Sequence, residues 1–192
     1  MECALHKSLI LLRGLPFYPA IQAKAKYALL DVSLAFLGAA FEVVSQKVPE
    51  LKNEIADWAD GRKFALGVLP KGPYITLEKR GDAVYYLGKG LQSPDVTFLF
   101  KNFDAGVPVF AGLKSSHQAM AEAKILIQGN LVYAMEVNRA LALVLAYLFP
   151  VTVFKHLFKA TPKLGLAMLI NKAKVQGALT PTFIKHMISS VK

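Results

Sequence analysis

The stretch Lys124-Ile125-Leu126-Ile127-Gln128-Gly129-Asn130-Leu131 changes character twice. Ile125 and Ile127 alternate with their neighbours, which marks a short strand. Gly129-Asn130 is a turn pair that closes it. From Leu131 to Phe149 the pattern is helical. It is amphipathic as far as Arg139 and apolar all round beyond, which implies burial or membrane contact.

Upstream, Asp104 to Gly112 and Ser115 to Ala123 read as helices, the second capped by Ser115 or Ser116. Before them Val96, Phe98 and Phe100 face one way, and Thr97 and Leu99 the other. Tyr74 to Lys79 alternates, Arg80-Gly81-Asp82 turns, and Ala83 to Leu87 returns, which is a hairpin pattern. Phe64, Leu66 and Val68 form a strand ended by Pro70-Lys71-Gly72-Pro73. Pro49 suits a first helical position, and Leu51, Ile55 and Trp58 form a stripe, predicting a helix over 49–60 with Gly61 as its C-cap. Strands cluster without alternating regularly with helices. The class is therefore α+β with a mainly antiparallel sheet.

The punctuation divides the chain into a helical lead-in (1–47), a compact mixed domain (48–149) and a basic helical arm (150–192). In the lead-in, Leu29, Leu30, Ser33, Leu37, Ala40 and Val44 fall mostly at helical spacing. In the arm, Val151, Phe154, Leu157 and Phe158 lie opposite Lys155, His156 and Lys159. Thr161-Pro162 and Thr180-Pro181 each read as an N-cap followed by a first helical residue. The last helix puts Phe183, Ile184, Met187, Ile188 and Val191 on one face.

Of the 192 residues, 54% are hydrophobic and only 19% charged, where ordinary domains carry roughly 25% charged residues. Such a chain is not intrinsically disordered. A single Cys, Cys3, excludes a disulfide scaffold. So apolar a chain hides a large core, lines a cavity or touches lipid.

The net charge is +10, and it belongs to one end. From Val137 to Lys192 there is no Asp or Glu, and there are eight basic residues; Met1 to Glu136 is nearly neutral. This asymmetry fits an anionic surface, lipid or nucleic acid, and also a solvated basic face. Greasy-and-basic helices of this kind suit an anionic membrane, with Lys155, Lys159, Lys163, Lys172, Lys174 and Lys185 as the contacts. The same stripe also serves a helix docked on the neighbouring domain, a homodimer or a partner protein. Nucleic acid is disfavoured, because the aromatic residues do not interleave with the basic ones. Ser8 to Leu12 is too short for a signal h-region. The longest uncharged run, Ala140 to Phe154, contains Pro150 and falls short of the ~20 residues a spanning helix needs. The expectation is a cytoplasmic protein without a span, able to sit at the inner membrane face.

A catalytic search comes up short. Cys3 is alone, and His6, His117, His156 and His186 show no metal-ligand spacing, so no metal or cofactor is expected. Ser115-Ser116-His117 lacks the glycines of a nucleophile elbow. Gly88-Lys89-Gly90 fails as a phosphate loop, having no Ser or Thr after the Lys. Asp57 and Asp60 read as a solvated face. An acyl-thioester enzyme using His117 or Asp104 would lack a nameable nucleophile, base and orienter.

Pro94-Asp95-Val96-Thr97-Phe98-Leu99-Phe100, Asn102 to Gly112, and Lys124 to Leu131 running on to Ala134-Met135 occur here in an order that resembles the sterol carrier protein 2 (SCP2-like) family. The resemblance spans about 90 to 100 residues. It implies a five-stranded sheet covered by helices and enclosing an apolar tunnel for a fatty acyl, sterol-like or isoprenoid lipid, without catalysis. Carried over by position, the tunnel would draw on Phe98, Phe100, Phe103, Val107 and Phe110. It would also draw on Met120, Ile125, Ile127, Leu131 and Met135, although core packing explains each of the ten as well. The lead-in and the arm are additions to the family's minimal domain. That layout also looks like accessory lipid-binding factors of bacterial quinone biosynthesis, which adds a polyprenyl ligand, or a scaffold role beside lipid-synthesis enzymes, to the expectations.

Overall fold

Alternating strands need a partner on each edge and a cover for their greasy face. The computed structural model, which describes residues 18–110, 113–148 and 166–189, shows how both are met. Side-chain surroundings are described for 24–110, 113–148 and 171–186. In chain order the elements are α1 (Tyr18–Lys47), α2 (Pro49–Ile55), β1 (Lys63–Val68), β2 (Tyr74–Arg80), β3 (Ala83–Lys89) and β4 (Val96–Phe100). Then come α3 (Phe103–Phe110), α4 (Ser116–Ala121), β5 (Ile125–Gly129), α5 (Leu131–Leu148) and α6 (Leu166–Ser189).

The five strands form one sheet in the order β3-β2-β1-β4-β5. Three of the four pairings are antiparallel, and β1–β4 at the centre is parallel. The class is thus α+β, with a mixed and mostly antiparallel sheet. Register puts Leu77, Phe64, Val96 and Gly129 in one row, and Ile75, Leu66, Phe98 and Ile127 in the next. This face carries the core. Phe41 of α1 meets the Phe64 ring at 5.2 Å, and Trp58 stands edge-on between Phe64 and Tyr133 of α5. On the opposite face β1 places Ala65 and Gly67, beside Thr97 and Leu99 of β4. A Cβ built on Gly67 would lie 2.1 Å from the Tyr74 ring, so that ring occupies the space a side chain would need.

The long helix α1 does two jobs. Leu30, Leu34, Phe41 and Val44 are fully buried in the shared core. Its polar residues run along the free edge of β3, where unpaired backbone groups would otherwise invite another strand. Asp31 pairs with Lys89 at 2.7 Å. The Tyr86 amide donates to Glu42 Oε2 at 3.2 Å, and the Val84 amide donates to Ser45 Oγ at 3.0 Å. Gly38 lies over the Tyr86 ring, where a Cβ would come within 2.7 Å of it.

Two elements differ from the sequence expectation. The helix expected over 49–60 stops at Ile55, because the Ala56 amide reaches back only to Asn53 O and the chain then turns toward β1. The helix start expected at Thr180-Pro181 is instead the interior of α6. Pro181 and Gly177 are both exposed, so the carbonyl deprived of a donor by the proline faces water. The Thr182 hydroxyl donates to Ala178 O at 2.9 Å just beside it. Cys3, His6, the 151–163 stripe with Lys155, His156, Lys159 and Lys163, and the Thr161-Pro162 cap lie outside the described residues. Among the described residues two helices, Lys24–Lys47 and Leu131–Leu148, are long and apolar enough to cross a membrane, and more than half of the most apolar 18-residue stretch of each is buried in this fold.

Candidate functional site

The apolar stripe of α1 is wider than the sheet it covers. Beyond the buried row lie Leu29, Val32 and Phe36, which remain partly open to solvent. α3, α5 and α6 converge on this flank without filling it. The space left is a cavity of about 230 Å³ lined by Val32, Ser33, Phe36 and Leu37 of α1, Phe110 of α3, Leu145 and Leu148 of α5, and Phe183 of α6. The Phe36 and Phe183 rings meet edge to face at 5.5 Å and hold α6 against α1.

Ser33 is the polar member of that lining. Its hydroxyl donates to Leu29 O one turn back at 2.7 Å. The donor is thereby satisfied, and its oxygen lone pairs stay available inside an apolar wall. A second, smaller space of about 70 Å³ shares Ser33 and Phe110 and adds Leu29, Leu30 and Val107. A third, more open space of about 300 Å³ lies at the start of α1, between Lys24, Tyr27, Pro70, Lys71 and Phe103. Tyr27 and Phe103 touch edge to face at 6.3 Å along its inner side.

Behind the large cavity, α6 is tied to α1 and β3 by a polar contact. His186 Nε2 lies 3.0 Å from Glu42 Oε2, and the His186 ring stands edge-on to Tyr86 at 4.9 Å. Burial, with the Asp31 charge as a lesser cause, pushes the Tyr86 hydroxyl up to about 12. Lys172 of α6 is buried, and desolvation lowers its pKa.

The residues expected to line a tunnel fall into three groups. Phe103, Val107 and Phe110 line the cavities just described. Phe98, Phe100 and Ile125 are buried on the sheet's helix-covered face, with Met120 and Ile127 packed partly buried against that core. Phe100 reaches the site through Phe110, its ring 5.1 Å away. Leu131 and Met135, 64% and 45% exposed, lie on the first turns of α5 outside all three spaces. Sequence reasoning missed Val32, Phe36, Leu145, Leu148 and Phe183 as lining. Phe183 stood in the tail stripe, and Leu145 and Leu148 in the end of the long helix that is apolar all round; Val32 and Phe36 fell outside the periodic stripe of the lead-in.

Of the basic residues expected at a membrane, Lys174 and Lys185 are exposed, Lys172 is buried, and Lys155, Lys159 and Lys163 lie outside the described residues. His117 Nδ1 accepts from Asn138 Nδ2 at 3.0 Å, while Asp104 pairs with Lys26 at 2.7 Å. These two candidates for acid–base work are thus engaged with different partners. Among the described residues no cluster of His, Cys, Asp and Glu is suited to a metal ion.

No family model matches the chain, and no curated protein sequence matches it. Several solved structures are similar in fold. Sterol carrier protein 2 is 14% identical, covering 57% of this chain and 93% of its own, with a TM-score of 0.44. The sterol carrier protein domain 2 of Helicoverpa armigera is 23% identical, covering 58% and 86%, with a TM-score of 0.41. A protein described as UbiJ-SCP2 ubiquinone synthesis protein is 19% identical, covering 69% and 97%, with a TM-score of 0.39. All three carry the name of the family that the Lys124–Met135 stretch resembles.

Proposed function

We propose that this protein binds and carries, or presents, one apolar lipid in the space between α1, α3, α5 and α6, without chemistry of its own. The observation that carries this reading is the cavity of about 230 Å³, in which seven of eight lining residues are apolar. Apolar area removed from water supplies the affinity, at about 25 cal/mol per Å². Wall residues drawn from four helices give a shape that adjusts by small helix shifts. Six of the ten tunnel residues expected from sequence extend the reading: Phe103, Val107 and Phe110 would touch the ligand, and the buried Phe98, Phe100 and Ile125 would form the floor beneath it. A cytoplasmic location at a membrane face belongs to the same proposal, with the basic tail as the docking element.

Native mass spectrometry of the gently purified protein, followed by solvent extraction, tests the reading. The expected result is an added mass of a few hundred daltons or more that extracts as lipid. Replacing Leu148 by Trp, which fills the cavity from the wall, should reduce the loaded fraction several-fold while leaving thermal unfolding cooperative. A clean apo mass, unchanged after incubation with a mixed lipid extract, would overturn the proposal. It would favour the scaffold reading, in which the apolar, basic tail meets a partner protein instead.

A further inference from the structure

The sheet has two unlike ends. Val68, Phe100 and Ile125 stand in one row, where β1 and β4 finish and β5 begins. Just past that row the chain places Lys71, Lys101 and Lys124. The Leu69 amide donates to Phe100 O at 2.8 Å, and the Lys101 amide donates to Lys124 O at 3.0 Å. These bonds hold the three departing segments side by side. β3 finishes at the same end with Lys89, in register with Ile75 near the start of β2. At the other end, the approaches to β1 and β4 and the β2–β3 turn carry Asp60, Asp95 and Asp82.

The helices deepen this imbalance. Lys24 of α1 shares the open space with Lys71 and Phe103, so the early turns of α1 border the lysine end. The carboxylates found here are all paired. Asp104 is held by Lys26 at 2.7 Å and Asp31 by Lys89 at 2.7 Å. Glu122 bridges Lys114 and Lys124 at 2.5 and 2.7 Å. Seven lysines thus meet three carboxylates, a surplus of four positive charges among the described residues. Lys24, Lys71 and Lys101 are exposed and pair with no carboxylate among the described residues.

The kind of cation decides the partner. Arg62, Arg80 and Arg139 each pair with a glutamate elsewhere, and the charges of this end are lysines. An acidic protein is best met by Arg, whose planar fork matches a carboxylate, and Lys is depleted from protein interfaces. A layer of lipid headgroups asks only for flexible point charges. Apolar side chains stand in water among these lysines. Leu113, next to Lys114, is 79% exposed, and Tyr27 is 42% exposed at the open space. Apolar tips between lysines suit the boundary of headgroups and acyl chains.

We infer that this end of the body is itself a docking surface for an anionic bilayer, distinct from the basic tail. The ends of β1 and β4 would then face the headgroups, with Asp60, Asp82 and Asp95 turned toward water. Screening confines the attraction to about 10 Å at 0.1 M salt, so the surplus acts only when this end approaches first. The inference concerns the outer surface and is independent of what the helix-lined cavity holds.

Flotation of the full chain with vesicles of three parts phosphatidylcholine to one part phosphatidylserine tests this. A Lys24→Gln, Lys71→Gln, Lys101→Gln variant should partition at least about tenfold more weakly than wild type. A Lys47→Gln, Lys63→Gln, Arg80→Gln control loses the same charge at the opposite end and should keep most of the binding. A polarity-sensitive dye placed by Leu113→Cys in a Cys3→Ala background should shift to the blue on these vesicles. The same dye at Asp82→Cys should not. Equal weakening in both triple variants would reduce the effect to net charge and overturn the inference. So would unchanged binding of the first variant, which would leave docking to the tail, or a dye at Leu113→Cys that stays in water. Soluble polyglutamate that holds the protein as tightly as the vesicles do would point to an acidic protein instead, and would also overturn it.

Discussion

Gly129 is the residue on which the strand-to-helix passage turns. Its φ is +107°, and a Cβ there would lie 2.1 Å from the backbone oxygen of Asp95. Two costs therefore fall on any substitution: a left-handed backbone and a collision with main chain that has nowhere to move. Gly61 isolates the first cost, since its φ is +80° but its surroundings are open. We expect Gly129→Ala to destabilise by about 3 kcal/mol and Gly61→Ala by about 1 kcal/mol, read from urea midpoints. Equal losses would mean that the Asp95 contact yields. The Gly-Asn pair told the sequence reader that a strand ends here. It could not tell that β4's entry residue presses on the glycine, because that neighbour comes from a strand about 30 residues earlier.

At the scale of elements, α6 carries an internal tension at Lys172, an ammonium buried with its pKa lowered by desolvation. The folded state disfavours its charged form, so the penalty is present below the lowered folded-state pKa. It eases as the pH rises through that value and vanishes above the ordinary lysine value of 10.5. Lys172→Met should therefore stabilise at neutral pH by about 1 kcal/mol, with the gain fading toward pH 10.5. Thermal unfolding at two pH values reads it. An unchanged midpoint at neutral pH would place the ammonium in water. α1 shows where element-level reading succeeds and stops. Its apolar periodicity predicted a helix, and the structure has one. Its polar residues Asp31, Glu42 and Ser45 lie outside that periodicity, and nothing in the sequence says what they face. In the fold they follow one face and serve the edge of β3. A polar stripe against backbone looks the same in sequence as a polar stripe against water.

For the whole molecule, the sheet class was legible because hairpin turns and alternation are local signals. The parallel β1–β4 pair was not, because Phe64 and Val96 advertise nothing about each other. The site was legible only on its α3 side, through Phe103, Val107 and Phe110. Its α1, α5 and α6 walls belong to segments far apart in sequence, brought together only by packing. The membrane proposal belongs to this scale too. With no acid after Glu136, and Lys174, Lys185 and Ile184 exposed on α6, the protein should float with vesicles rich in anionic lipid. It should be released in molar salt, where screening acts within about 3 Å. Equal recovery with zwitterionic vesicles would leave the basic tail without that role.

The central parallel pair has a consequence for how the chain reaches this state. β1, β2 and β3 form a meander of neighbours in sequence and need only short loops to pair. Joining Phe64 to Val96 must wait until the intervening hairpin has swung aside, closing a loop of about 30 residues. Non-local closures of this kind slow folding. The middle of the finished sheet thus gains little from local search, and β5, which docks on β4 across a comparable span of sequence, shares the delay. A nascent chain would hold a three-stranded meander with an open, greasy flank at β1 until β4 arrives. During that interval the edge of β1, sealed in the finished fold, is the place where a second chain could pair by mistake.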